Sequence, residues 1–159
     1  MIQSKRVCII GAGPSGIAAA KNCVQAGLEV VVFEKNDKVG GNWVFNSSTG
    51  HSSVYENTHI ISSKALSEFE DFPMPDDYPD YPSHLQLQAY FEAYTKHFGA
   101  YSKIRFKHVV NKATRSPDGL WQIEYSDRQG DCHSETFDVL MVANGHHWHP
   151  KHPEYPGNY

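Results

Sequence analysis

Three glycines, Gly11, Gly13 and Gly16, stand at the junction of two very different stretches. Before them, Val7 to Ile10 is a short apolar run, rich in β-branched residues, as expected of a strand buried on both faces. After them, the spacing predicts a helix from about Pro14 to Ala26, with Ile17, Ala20, Val24 and Gly27 on one stripe. Pro14 suits a first helical turn, and Gly27 suits the residue that ends a helix. A second apolar run, Val30 to Phe33, ends on Glu34. This is one βαβ unit with G-x-G-x-x-G in its first turn, the fingerprint of a dinucleotide-binding corner. Gly11 permits the tight turn, Gly13 leaves the main chain bare for a pyrophosphate, and Gly16 lets the helix pack closely. The first helical N–H groups lack intrahelical acceptors, and the helix dipole adds roughly 0.3–1 kcal/mol for an anion there. Glu34 lies 18 residues beyond Gly16, where a carboxylate can accept hydrogen bonds from a ribose. An acid at that point disfavours a ribose 2′-phosphate, so this corner prefers FAD or NAD to NADP.

A length of 159 residues is enough for one core and suggests one domain over 1–159. The net charge of −4 gives no electrostatic reason to expect nucleic acid or an anionic membrane as partner. No apolar run reaches the ~18 residues of a transmembrane helix. The glycine turn comes too early to leave room for a signal peptide, which points to a cytoplasmic location. Cys8 falls in the first strand and Cys23 in the helix, so both read as small buried hydrophobes in a reducing compartment; Cys132 completes an odd set of three.

Beyond Glu34 a polar turn, Lys35 to Val39, leads to Gly40-Gly41-Asn42-Trp43. Adjacent glycines again let backbone lie against a ligand, and Trp43 adds a flat face. With GAGPSG, FEKNDKVGGNW, the DFPMP and DYPDYPS stretches and VLMVANGHHWHP, nearly the whole chain resembles the N-terminal FAD-binding part of the flavin-containing monooxygenases. The resemblance implies an α/β fold, a Rossmann-like FAD/NAD(P)-binding three-layer arrangement with a parallel sheet and a β-meander. It places Gly11, Ala12, Gly13, Pro14, Ser15 and Gly16 on the pyrophosphate, and Glu34 with its neighbour Lys35 at the adenosine ribose. Gly41, Asn42 and Trp43 fall toward the flavin, Ile61 and Ser62 along flavin and nicotinamide, and Val110 by the adenine. Ala143, Asn144 and Gly145 form the turn that closes on the cofactor, with Asn144 where the family has threonine. At Ile61 the family usually has an asparagine whose amide can hydrogen-bond the flavin–oxygen adduct, so the coupling of reduction to oxygenation is in question here.

Residues 69–83 hold four prolines and several aromatics, which rules out regular structure. They read as a surface loop packed by its own rings, or as a cap over a ligand channel. Ser83 and Gln86 form a capping box for a helix ending at Gly99, with Leu87, Phe91, Tyr94 and Phe98 on its buried face. Three strands follow, Ile104–Thr114, Leu120–Tyr125 and Glu135–Val142, the first two paired as a hairpin and the last returning to the parallel sheet. The tract His146-His147-Trp148-His149-Pro150-Lys151-His152 has no metal-ligand spacing and reads as a solvated exit segment. No nucleophile–base arrangement stands out, so no catalytic side chain is assigned.

The resemblance implies an enzyme in which NADPH reduces FAD, O₂ adds to the reduced flavin, and the peroxyflavin oxygenates a soft nitrogen or sulfur nucleophile. The cofactor carries that chemistry, and protein groups orient it and exclude water. Siblings are a Baeyer–Villiger-type monooxygenase and an NADPH oxidase that releases peroxide. The alternative from another class is a truncated, non-catalytic dinucleotide-binding module. The family's second G-x-G-x-x-G and its F-x-G-x-x-x-H segment do not occur in these 159 residues, so most of the NADPH site is expected on the remainder of a longer chain or on a second polypeptide. A small-molecule substrate and O₂ are the expected partners, and a homodimer is a possible assembly.

Overall fold

The computed structural model describes residues 4–50, 53–147 and 151–157. The βαβ unit forms as the sequence predicts. Strand β1 (Arg6–Ile10) leads through the glycine turn into α1 (Pro14–Gln25) and back to β2 (Glu29–Glu34). A single turn, α2 (Lys64–Ser67), precedes the long helix α3 (His84–His97). Five more strands follow: β3 (Ile104–Phe106), β4 (Val109–Arg115), β5 (Trp121–Ser126), β6 (Cys132–Phe137) and β7 (Val139–Val142). They make two sheets, a parallel one in the order β3-β2-β1-β7 and an antiparallel meander β4-β5-β6.

The parallel sheet is covered on both faces, which is why its strands read as unbroken apolar runs. Val7, Ile9, Val30 and Val32 face Ile17 and Ala20 of α1 and Leu87, Tyr90 and Tyr94 of α3. Cys8, Val31 and Phe33 face Ile123, Tyr125 and Phe137 of the meander. The layers are therefore helix, parallel sheet and meander. Burial pushes the Cys8 thiol up to about 12, consistent with a core residue rather than a reactive one.

Two of the three strands expected after residue 103 are each divided. The first expected strand splits into β3, parallel to β2, and β4, antiparallel to β5. Lys107, with φ 57°, makes the turn between them. The third splits at Asp138 into β6 of the meander and β7, parallel to β1. Asp138 N–H donates to Arg6 O at 2.9 Å, and its carboxylate accepts from Arg6 N–H at 2.8 Å. The hairpin is thus β4 with β5, and residues 104–106 belong to the other sheet. No glycine or proline stands at either crossing, Lys107-His108 or Asp138, so the sequence does not mark where the chain changes sheet.

Helix α3 begins with the expected capping box: Ser83 Oγ accepts from Gln86 N–H at 3.4 Å, and Gln86 Oε1 accepts from Ser83 N–H at 2.9 Å. Its buried face includes Leu87, Phe91 and Tyr94 as expected, and also Tyr90, at 1% exposure. Tyr90 organises the proline-rich loop. Its hydroxyl accepts from Phe69 N–H at 2.7 Å and donates to Phe72 O. Phe69 stacks on Tyr90 with ring centroids 5.9 Å apart, and Phe72 packs on Tyr94 at 5.7 Å. From the other side, Lys64 Nζ donates to the carbonyls of Pro75, Asp76 and Tyr78 at 3.1–3.3 Å. The loop's rings therefore pack against α3 rather than chiefly against each other.

Candidate functional site: a glycine-walled groove

The C-terminal ends of β1, β2 and β7 open onto a groove of about 800 Å³. This is where a doubly wound sheet binds ligands, beyond the carboxyl ends of its strands. Its floor is the β1–α1 turn. Gly11 has φ +101°, and a Cβ there would stand 2.4 Å from Ala143 O. At Gly16 a Cβ would stand 1.9 Å from Gly11 O. These two glycines are required by the chain's own backbone. Gly13 differs: a Cβ would meet Gly41 Cα at 3.6 Å, an ordinary contact. The bareness of Gly13 is thus left for something outside the chain to exploit. Helix α1 has Gly13 as its N-cap and no side-chain cap, so its first N–H groups remain open toward the groove.

The second glycine pair packs against the first turn. Gly40 N–H donates to Ala12 O at 3.1 Å. Gly41, with φ +57°, lies so close that a Cβ would be 3.0 Å from Gly13 Cα. The pair therefore braces the fingerprint, and Gly41 also lines the groove with Asn42 and Trp43. Asn42 joins two further segments, since its Nδ2 donates to His146 O at 3.3 Å and its Oδ1 accepts from Ser53 Oγ at 3.3 Å.

Glu34 is 7% exposed and lines the groove at the end of β2. Its Oε2 accepts from Ala12 N–H at 2.6 Å and its Oε1 from Asn36 N–H at 2.7 Å. The carboxylate expected at a sugar is also a clamp on the glycine turn, an arrangement that spacing alone does not reveal. Each oxygen retains acceptor capacity for a hydroxyl. Burial pulls the neighbouring Lys35 ammonium down, and the Glu34 charge opposes that shift.

Of the residues singled out in the sequence, Gly11, Gly13, Pro14, Ser15, Glu34, Lys35, Gly41, Asn42, Trp43, Val110, Ala143, Asn144 and Gly145 line this one groove. Ala12 and Gly16 lie buried just behind its floor. Ile61 and Ser62 are not brought to it. Ile61 is 99% exposed, and Ser62 Oγ pairs with Ser67 Oγ at 2.7 Å. No residue of the 69–83 loop lines the groove. Sequence reasoning misses several residues that do, among them Phe33, Asn36, Thr49, His108 and His146. Asn36 has a signal in its place two residues after Glu34; His108 has none, because the sheet crossing that brings it there is not visible locally.

His146 and His147 pack edge to face with centroids 4.1 Å apart. Trp148, His149 and Pro150 of that tract lie outside the described residues. Among the described residues no group of His, Cys, Asp or Glu is arranged to hold a metal ion, and no helix is long and apolar enough to cross a membrane.

This corner has close counterparts. The flavin-containing monooxygenase 3 of Canis lupus familiaris is 38% identical over 163 residues, an alignment covering 98% of this chain and 30% of that protein. The flavin-containing monooxygenase 5 of Rattus norvegicus is 37% identical, over 98% of this chain and 31% of its own. Among solved structures, S-allyl-L-cysteine S-oxygenase from Allium sativum superposes with a TM-score of 0.89 at 25% identity, covering 98% of this chain and 39% of that one. Tmm from Pelagibacter gives 0.84 at 30% identity, covering 96% and 39%. The chain thus spans less than a third of the length of these sequence relatives. A family described as flavin-binding monooxygenase-like matches residues 4–158, and with the glycine corner at its centre the chain belongs to that family.

Proposed function

We infer that this chain forms the FAD-binding part of an NADPH- and O₂-dependent monooxygenase. The observation that carries the reading is the pairing of a bare Gly13 with open α1 N–H groups and the acidic end of β2 in one groove. Main-chain N–H groups of Ser15 and Gly16 would hold the pyrophosphate, Glu34 the ribose, and Gly41 to Trp43 the flavin end. When bound, the flavin supplies hydride acceptance and oxygen activation. The residues of this chain bind and orient it. Family membership supports a soft nitrogen or sulfur nucleophile as substrate, and the structural neighbour from Allium sativum is an S-oxygenase.

NADPH and the substrate would be held largely by further polypeptide, from a longer chain or a second one. Strand β7 supports this. It stands at the edge of the parallel sheet, paired on one side with β1, and its open side can take another strand. Purified in excess FAD, the chain should retain a flavin absorbance band through gel filtration and should not oxidise NADPH. A chain that stays colourless and takes up NAD instead would overturn the cofactor reading. Robust NADPH oxidation by these residues alone would overturn the division of labour.

A further inference from the structure

In the proline-rich loop, the turn Pro75-Asp76-Asp77-Tyr78 closes with Tyr78 N–H donating to Pro75 O at 3.1 Å. It aims three main-chain carbonyls, those of Pro75, Asp76 and Tyr78, at one point. Converging carbonyl oxygens repel one another unless a cation stands between them. Lys64 Nζ stands there, at 3.2, 3.3 and 3.1 Å from the three oxygens. An ammonium has three N–H donors and no acceptor, so three carbonyls satisfy it completely. Among the described residues Lys64 makes no ion pair, although Asp76, Asp77 and Asp80 stand exposed in the same loop. The half-buried side chain is placed by the carbonyls, not by the nearest carboxylate.

The backbone of the same residue adds a second tie, since Lys64 N–H donates to Asp80 O at 2.7 Å. One residue at the start of α2 therefore holds the loop at 75, 76, 78 and 80. Just before it lie Ile61 and Ser62, which follow the Ile60 N–H bond to Pro82 O at 3.0 Å. The other end of the loop has a separate anchor, Phe69 N–H on the Tyr90 hydroxyl at 2.7 Å.

We propose that the 75–78 turn is a binding site for a primary ammonium group and that Lys64 is its built-in occupant. Lys64 acts as a positioning residue. Its charge latches the segment carrying Ile61 and Ser62 to the loop, with Ile61 held in its 99% exposed position. The site takes a compact cation that brings N–H donors. A quaternary ammonium such as tetramethylammonium has the charge but nothing to donate, and does not fit. This holds whether or not the groove binds a dinucleotide.

The test is amide hydrogen exchange of the full chain, followed by NMR. Lys64→Met keeps an apolar stem and removes the ammonium. Exchange of Tyr78 N–H should quicken roughly tenfold, while that of Phe69 N–H stays within about twofold of wild type. Lys64→Ala empties the site. It should regain slow exchange at Tyr78 in methylammonium chloride, but not in tetramethylammonium chloride at equal ionic strength. Wild type gives a reading that needs no variant: the Lys64 ammonium protons should exchange with water roughly tenfold more slowly than those of the exposed Lys112. Wild-type exchange at Tyr78 in Lys64→Met overturns the proposal, and so does equal rescue by the two salts. Equal quickening at Phe69 also overturns it, because Lys64 would then be a general support of the loop. Lys64 ammonium protons that exchange as fast as those of Lys112 overturn it even if neither variant folds.

Discussion

Gly16→Ala should destabilise the fold by about 3 kcal/mol or more, enough to lower the folded population measurably without any ligand. Helix propensity argues the other way, since alanine is better than glycine in a helix interior by about 1 kcal/mol. The close approach decides the sign. The new methyl would stand 1.9 Å from Gly11 O and 3.5 Å from the Ala143 side chain. Gly11 cannot retreat, because its own N–H is bonded to Phe33 O at 2.8 Å and its Cα faces Ala143 O. Either α1 shifts off the sheet or the turn opens. Chemical denaturation read by far-UV circular dichroism checks this. A variant as stable as wild type would mean that the corner is looser than described.

Glu135→Gln should cost about 2 kcal/mol at neutral pH by loosening the meander from the parallel sheet. The Glu135 carboxylate accepts from Arg6 Nη2 at 2.9 Å, from Tyr125 Oη at 2.6 Å and from Arg105 Nη1. Arg6 lies in β1, and Arg105 in β3, so one carboxylate on β6 ties two strands of the other sheet. An amide at this position removes the counter-charge from Arg105 and one of the two carboxylates on Arg6, which keeps Glu29 at 2.8 Å. The exposure of both arginine side chains, about a third, moderates the loss. Burial alone would push the Glu135 carboxyl up, but the hydrogen bonds from Arg105, Tyr125 and Arg6 outweigh it and hold the group at about 2, against an ordinary 4.5. Between those values the unfolded chain binds the proton and the folded chain does not, so this contribution is complete above pH 4.5 and is lost as pH falls toward about 2. The stability gap between wild type and Glu135→Gln should therefore close over that window. A gap that stays constant from neutral pH to about 2 would show that the carboxylate is not held by these donors.

Much of this is legible in the sequence because it is written locally. The strand, glycine turn, helix and acidic strand end lie within 29 consecutive residues, Arg6 to Glu34, and each is specified by neighbours. The Ser83–Gln86 capping box is likewise a four-residue signal, and it forms as expected. What is not legible depends on pieces far apart in sequence. Ile104–Thr114 holds no glycine or proline, so nothing local marks that its two parts pair with different sheets. Tyr90 falls on the same helical stripe as Leu87, Phe91 and Tyr94, but the bonds of its hydroxyl to Phe69 and Phe72 exist only once the loop folds back onto α3. Spacing marks Glu34 as a ligand group, but its bonds to Ala12 and Asn36 exist only once the turn closes over it. Thirteen residues carried over from the resemblance line one groove, whereas Ile61 and Ser62 lie outside it.

Gly13 separates fold from ligand in a way that Gly11 and Gly16 do not. Its backbone is extended, with φ −74° and ψ 180°, and an added methyl would rest 3.6 Å from Gly41 Cα. Gly13→Ala should therefore fold with near wild-type stability while narrowing the groove where a diphosphate must lie against main chain. FAD affinity of Gly13→Ala, measured beside its denaturation curve, is the most direct examination of the corner. The expected result is an affinity loss of roughly tenfold or more with stability changed by less than about 1 kcal/mol. Unchanged FAD affinity in a stably folded Gly13→Ala protein would contradict it.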